Sequence, residues 1–148
     1  MNETVRAASK SDLSGILDVY RQAGMSPAGT LPVQAAEAIF ARMETYPEYR
    51  VYVAERDGRI VATFALLIMD NLANMGKPSA IVEDVAVRPD CQRQGLGKAM
   101  MDFAMDTCRQ KGCYKLVLSS NRRRVDAHRF YELLGFKQHG FSFLVDPS

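Results

Sequence analysis

Only two histidines, His128 and His139, occur in the 148 residues, too few for a multi-histidine metal site. Cysteine is also scarce. Cys91, Cys108 and Cys113 are odd in number, and their spacing matches no common zinc site. Reduced thiols are expected, not a disulfide scaffold or a metal centre. Long apolar runs are missing: the longest, residues 60–69, is half of the roughly 20 residues a spanning helix needs. The opening residues lack a basic segment leading into an apolar core, so no signal peptide is expected and a cytoplasmic location is. Charge of one sign is missing too. The balance of 19 Lys+Arg against 17 Asp+Glu leaves +2, with no global attraction to nucleic acid. No repeat, low-complexity tract or linker divides the chain, so residues 1–148 are expected to form one domain.

What is present is an alternation of element types. Residues 5–8 read as a short strand. Ser9 and Asp12 then make a capping-box-like start. Leu13, Ile16, Leu17 and Tyr20 follow at helical spacing, with Gly24 as the stop. Ala36, Ile39, Phe40 and Met43 repeat that spacing after Pro32 and predict a second helix. Residues 50–55 and 60–69 flank Asp57-Gly58 and predict a β-hairpin. Residues 70–79 read as a loop, and residues 80–87 as an apolar strand interrupted by Glu83 and Asp84. A helix over 95–110 has the core stripe Leu96, Met100, Phe103 and Ala104, and Gly112 ends it. A strand at 114–119, a helix at 126–134 stopped by Gly135, and a strand at 138–145 complete the order. The class is α/β, with elements β-α-α-β-β-β-α-β-α-β.

The most informative stretch runs from residue 81 to residue 98, where a strand enters a loop with two glycines and the loop opens a helix. The first turn of a helix has free N–H groups and a partial positive charge, which together bind phosphate. Gly95 and Gly97 admit a ligand to the backbone. Arg93 and Lys98 add positive charge there. A pyrophosphate seat at residues 92–98 is the expectation. It is not a Walker A loop: no glycine stands five before Gly95, and Lys98 is not followed by Ser or Thr. It is not a Rossmann fingerprint either, since position 100 is Met. A plain helix start remains the other reading of this fragment.

Gln92-Arg93-Gln94-Gly95-Leu96-Gly97 resembles the pyrophosphate loop of the GCN5-related N-acetyltransferases (GNAT), and the preceding Val85-Ala86-Val87-Arg88-Pro89 resembles that superfamily's central strand. Asn121, the segment from Ala127 to Tyr131, and Leu134-Gly135-Phe136 continue the likeness in order and spacing. The resemblance covers nearly the whole chain. It implies the GNAT fold: a mixed, mostly antiparallel sheet with a splayed parallel strand pair and helices on both faces. It also implies acetyl-CoA as the acetyl donor, with no metal.

By that resemblance, backbone groups of Val85, Ala86 and Val87 pair with the pantetheine arm, and the N–H groups of Gln92, Arg93, Gln94, Gly95, Leu96, Gly97 and Lys98 hold the pyrophosphate. Asn121 would bond the pantetheine, or serve as an ordinary turn asparagine. Ala127, His128 and Phe130 would flank the cofactor. Tyr131 would protonate the departing CoA thiolate, or simply pack beside Phe130. Glu83 interrupts an apolar strand, a costly position unless paired or functional. It reads as the general base or the ammonium anchor, the alternative being an ion pair with an arginine. Alternation puts Glu83 on the face of Val85 and Val87, and Asp84, a second substrate-binding candidate, on the other. A backbone N–H near Val85 would hold the oxyanion.

Within the superfamily, the segments around 82–87 and 112–115 resemble glucosamine-6-phosphate N-acetyltransferases. Those at 119–121 and 126–131 resemble aminoalkylphosphonate N-acetyltransferases. Both imply a small primary amine carrying a phosphorus oxyanion, and the resemblance as a whole implies a homodimer. Arg122-Arg123-Arg124 would meet that oxyanion or the CoA 3′-phosphate, or is a solvated basic loop. Met25, Thr30, Tyr46, Asn71, Asn74 and Phe141 would line a mixed acceptor pocket. The rival functions are a protein or peptide acetyltransferase and a non-catalytic acyl-CoA-binding module.

Overall fold

The computed structural model describes residues 3–148. They form two compact units, one ending at Val117 and one running Leu118–Ser148. A five-stranded sheet has the strand order β1-β2-β3-β4-β5, with β1 Glu3–Ala7, β2 Tyr49–Arg56, β3 Arg59–Met69, β4 Ser79–Val87 and β5 Lys115–Leu118. Neighbours from β1 to β4 are antiparallel, and β4 and β5 are parallel. The helices are α1 Leu13–Gln22, α2 Val33–Met43, α3 Leu96–Lys111 and α4 Val125–Leu133.

The β2–β3 hairpin turns on Asp57 and Gly58, whose φ values of 52° and 79° are both left-handed. That is the type I′ geometry, whose twist matches the flanking strands. Residues opposite one another on neighbouring strands share a face of the sheet. The rows Val53–Thr63–Ala86 and Val51–Ala65–Glu83 therefore lie on one face. Val53 packs there with Leu13 and Ile16 of α1 and with Ala36 and Phe40 of α2. The other face carries the Tyr52–Phe64 pair, and the Tyr52 ring lies 5.0 Å from that of Phe103 on α3. Helices thus cover both faces of this sheet.

In α1 the buried residues are Leu13, Ile16 and Val19. In α2 only Ala36 and Phe40 of the four-residue stripe are buried, while Ile39 is exposed. α1 is entered through a short 3-10 turn, where Asp12 accepts from the Ser9 N–H at 2.8 Å. Asp12 also takes both Nη groups of Arg6, at 2.8 and 2.9 Å, and this pairing holds its carboxyl down to about 2. Arg88, just past β4, is buried. Its Nε donates to the Ile60 carbonyl at 2.7 Å and its Nη1 to Asp18 of α1 at 2.6 Å. Its charge is spent on fastening β4 to α1.

The second unit contains α4, which Gly135 terminates at φ 98°. The strand expected at 138–145 does not form. Phe141, Phe143, Leu144 and Val145 have no sheet partner and are 81–95% exposed. Alternating apolar residues favour a strand only when a neighbouring strand supplies hydrogen bonds and a surface to bury against.

Candidate active site

The candidate residues fall into two groups, one in each compact unit. The first begins in the middle of β4. Thr63 pairs with Ala86 and Ala65 with Glu83, so two steps along β3 face three along β4. The extra residue makes a β-bulge. Asp84 within it has φ 55°, a left-handed conformation that a non-glycine residue adopts only under constraint. The bulge corrects the expected alternation. Glu83 shares its face with Ala86, and Val87, opposite Ala62, lies on the face of Val82 and α3. Glu83 and Asp84 are both exposed, while Val85 and Val87 are half-buried. No arginine pairs with Glu83 among the described residues.

Glu83 therefore sits on the α1–α2 face, and polar groups gather near it. Tyr20 of α1 packs beside the core there, with its hydroxyl reaching the Thr63 side chain. Burial, then the charge of Asp84 and the neighbouring Tyr49, push Tyr20 up to about 12. Tyr49 opposes Leu67, which opposes Ile81, one row along from Glu83 on the same face. Burial, then Asp84 and Glu83, raise the Tyr49 phenol as well. Neither tyrosine was identified from sequence. Tyr20 reads there as one more member of a helix core stripe, and only the strand register brings it toward the carboxylates.

β5 begins level with the start of β4, because the Tyr114 N–H donates to the Pro78 carbonyl at 2.9 Å. β5 has four residues and β4 nine. Running parallel, β5 accompanies about the first half of β4 and leaves the edge of residues 84–87 open. An extended ligand can hydrogen-bond to such an edge as another strand does.

Past β4 the chain enters the glycine loop. Arg93 has φ 61° and Gly95 φ 84°, two left-handed residues that turn the chain into α3. The first bond inside the helix runs from the Ala99 N–H to the Gly95 carbonyl at 3.0 Å. The N–H groups of Leu96, Gly97 and Lys98 precede it and have no helical partner. No acidic residue stands in this first turn, so the positive end of the helix is uncancelled. The side chains divide. Gln92 and Arg93 are exposed, while Leu96 is 1% exposed and can offer only its backbone. Lys98 turns along the helix to Asp102 at 2.6 Å. Gln94 is also used internally. Its Oε1 accepts from Arg56 Nη1, and its Nε2 donates to the Asp90 carbonyl at 3.2 Å. Arg56 is itself buried and bound to Glu3 at 2.6 Å. This arginine holds the loop in shape, and nothing in the local sequence pointed to it.

The second group lies around α4. Asn121 spends its side-chain oxygen on the Arg123 N–H at 2.9 Å, as in an Asx turn. Its carbonyl meets His128 Nε2 at 2.8 Å, so His128 ties the turn to the helix. Ala127 and Phe130 are half-buried, and Arg122, Arg123 and Arg124 are exposed. Tyr131 is buried, with its ring 5.3 Å from Phe130 and 5.7 Å from Phe136. Burial raises the Tyr131 phenol, and the charge of Arg124 draws it partly back. The phenol thus keeps its proton well past neutral pH. Phe141, expected in the acceptor pocket, is 91% exposed.

The sequence profile of the acetyltransferase (GNAT) family matches residues 15–136. A glucosamine 6-phosphate N-acetyltransferase of Trypanosoma brucei brucei is 32% identical over 142 residues, covering 96% of this chain and 94% of its own. An aminoalkylphosphonate N-acetyltransferase of Salmonella typhimurium is 32% identical over 113 residues, covering 76% and 73%. A solved structure from Agrobacterium tumefaciens superposes with a TM-score of 0.90 at 34% identity, covering 97% of this chain and 99% of that one.

Proposed function

We propose that this chain, which belongs to the acetyltransferase (GNAT) family, works as a single domain that transfers the acetyl group of acetyl-CoA directly to the primary amine of a small molecule. The observation that carries this reading is the broken second half of β4. Its bulge at Asp84 and its open edge lead directly into a helix N-terminus with unpaired N–H groups. Pantetheine would add to the edge at Val85–Val87, and the pyrophosphate would rest on the N–H groups of 95–98.

In this reading the acceptor reaches the face of Glu83, Tyr20 and Tyr49. Carboxylates and phenol oxygens favour a cationic ammonium group there. Glu83, directly or through water, takes the proton that frees the nitrogen lone pair. The nitrogen then bonds to the thioester carbon, and the carbonyl electron pair moves to oxygen, where a backbone N–H near Val85 stabilises it. Collapse breaks the carbon–sulfur bond, and Tyr131 gives its proton to the thiolate. The two similar enzymes act on glucosamine 6-phosphate and on aminoalkylphosphonates. Amines bearing a phosphorus oxyanion are therefore the acceptors we propose. The cytoplasm is the proposed location, since it holds acetyl-CoA and keeps thiols such as these reduced.

The test is release of CoA thiol from acetyl-CoA across a panel of amines, with phosphorylated and dephosphorylated members compared. The phosphorylated amines should give a kcat/KM at least about tenfold higher, as expected for a charge-assisted contact of roughly 1.5–3 kcal/mol. Tight acetyl-CoA binding with no release on any amine would instead support an acyl-CoA-binding module. Turnover on peptides alone would support a protein acetyltransferase. In the Glu83→Gln protein, kcat should fall roughly 100-fold with the KM for acetyl-CoA little changed. An unaltered kcat would move the base elsewhere.

Residues 138–145 support a homodimer. Each tail exposes two phenylalanines, a leucine and a valine. A Phe alone buries roughly 150–250 Å², so two exchanged tails approach the roughly 800 Å² per partner of a standard interface. Light scattering should give twice the chain mass. Phe141→Ser with Phe143→Ser should give a monomer, and a monomeric parent protein would remove the proposal.

A further inference from the structure

Two of the three thiols meet at the C-terminal end of α3. Gly112, at φ 74°, ends the helix. Its N–H donates to the Arg109 carbonyl at 3.2 Å, and the Cys113 N–H donates to the Cys108 carbonyl at 3.0 Å. This pair of bonds is the Schellman closure, which turns the residue after the glycine back against the last turn of the helix. Here those two positions are Cys113 and Cys108. The two side chains hydrogen-bond, and burial together with Cys113 pushes the Cys108 thiol up to about 12. Cys108 is 6% exposed and Cys113 is half-buried.

The backbone around them is already held. Lys111 meets Glu48 at 3.2 Å, and the Tyr114 N–H donates to Pro78 at 2.9 Å. The closure sets these two positions against one another, so joining the sulfurs asks mainly for side-chain rotation. The closure itself needs glycine and two backbone bonds, not thiols. Acetyl transfer by direct attack needs no cysteine. A helix of 16 residues also separates the pair from the loop at Gly95 by about 24 Å.

We propose that Cys108 and Cys113 form a modification site, oxidised by hydrogen peroxide to an intrachain disulfide. Cys113, the more exposed, reacts first. Its sulfur attacks one peroxide oxygen, the O–O bond breaks, and a sulfenic acid and water result. The Cys108 sulfur then attacks the sulfenic sulfur, the S–O bond breaks, and the S–S bond forms. The Cys108 proton leaves with the displaced hydroxide as a second water. Two thiols and one hydrogen peroxide thus become one disulfide and two waters. The raised Cys108 thiol is a poor first target, which sets the order.

The test treats the full chain with hydrogen peroxide, blocks remaining thiols with iodoacetamide and digests it with trypsin without reduction. Trypsin cleaves after Arg109 and Lys111, so the disulfide joins peptide 99–109 to peptide 112–115. That linked pair should be the main oxidised product. It should vanish on reduction with dithiothreitol and be absent from a Cys113→Ser protein. Alkylated Cys108 beside a sulfinic Cys113 would overturn the proposal, as would a link to Cys91 or one between chains.

Discussion

Replacing Tyr131 by Phe should lower kcat for acetyl transfer by about 100-fold and leave acetyl-CoA affinity within about twofold. The magnitude is that of a lost general acid. Phe keeps the ring, so the contacts with Phe130 and Phe136 survive, and the melting temperature should hold within a few degrees. What disappears is the hydroxyl. Burial raises its pKa above the usual tyrosine value. The sign follows: the phenol is protonated throughout neutral pH and has a proton to give when the thiolate forms. Steady-state kinetics and calorimetric titration with acetyl-CoA separate the two effects. An unchanged kcat would return Tyr131 to a packing role, with Phe130.

Replacing Gly95 by Val should raise the KM for acetyl-CoA roughly tenfold or more, with kcat at saturation much less affected. No side chain crowds Gly95, since an added Cβ meets nothing within 4 Å. The objection is conformational. At φ 84° a β-branched residue carries a cost of about 1–3 kcal/mol. The chain relieves it by rotating the peptide that aims the first N–H groups of α3. Gly24→Ala is the control. It too replaces a glycine with left-handed φ, 75°, in open space, but at the end of α1. It should shift the melting temperature and leave KM alone. Equal KM values in Gly95→Val and the parent would end the idea that this helix start seats the pyrophosphate.

Much of the fold was legible because its signals are local. Asp57-Gly58 forces one turn type. Gly95 and Gly112 bound α3, and the apolar spacing within 96–108 predicts which side of it is buried. The glycine loop was legible as a helix start, because two glycines ahead of an apolar helical stripe signal one locally. The failures share one cause, dependence on a distant partner. Residues 138–145 alternate as a strand does, yet they pair with no strand among the described residues. Gln94 looks like part of the pyrophosphate seat, yet Arg56, 38 residues away, claims its side chain.

By itself the sequence determined the element order from β1 through α4, the GNAT resemblance and the residue types available for acetyl transfer, since each rests on short-range spacing. Only the tertiary structure decided where those residues face. One extra residue in β4 opposite β3 breaks the side-chain alternation, so that Glu83 keeps the α1–α2 face while Val87 falls on the α3 face. Alternation along a single strand is a property of that strand. A bulge is a property of two strands in register, and it exists only once the pair has formed.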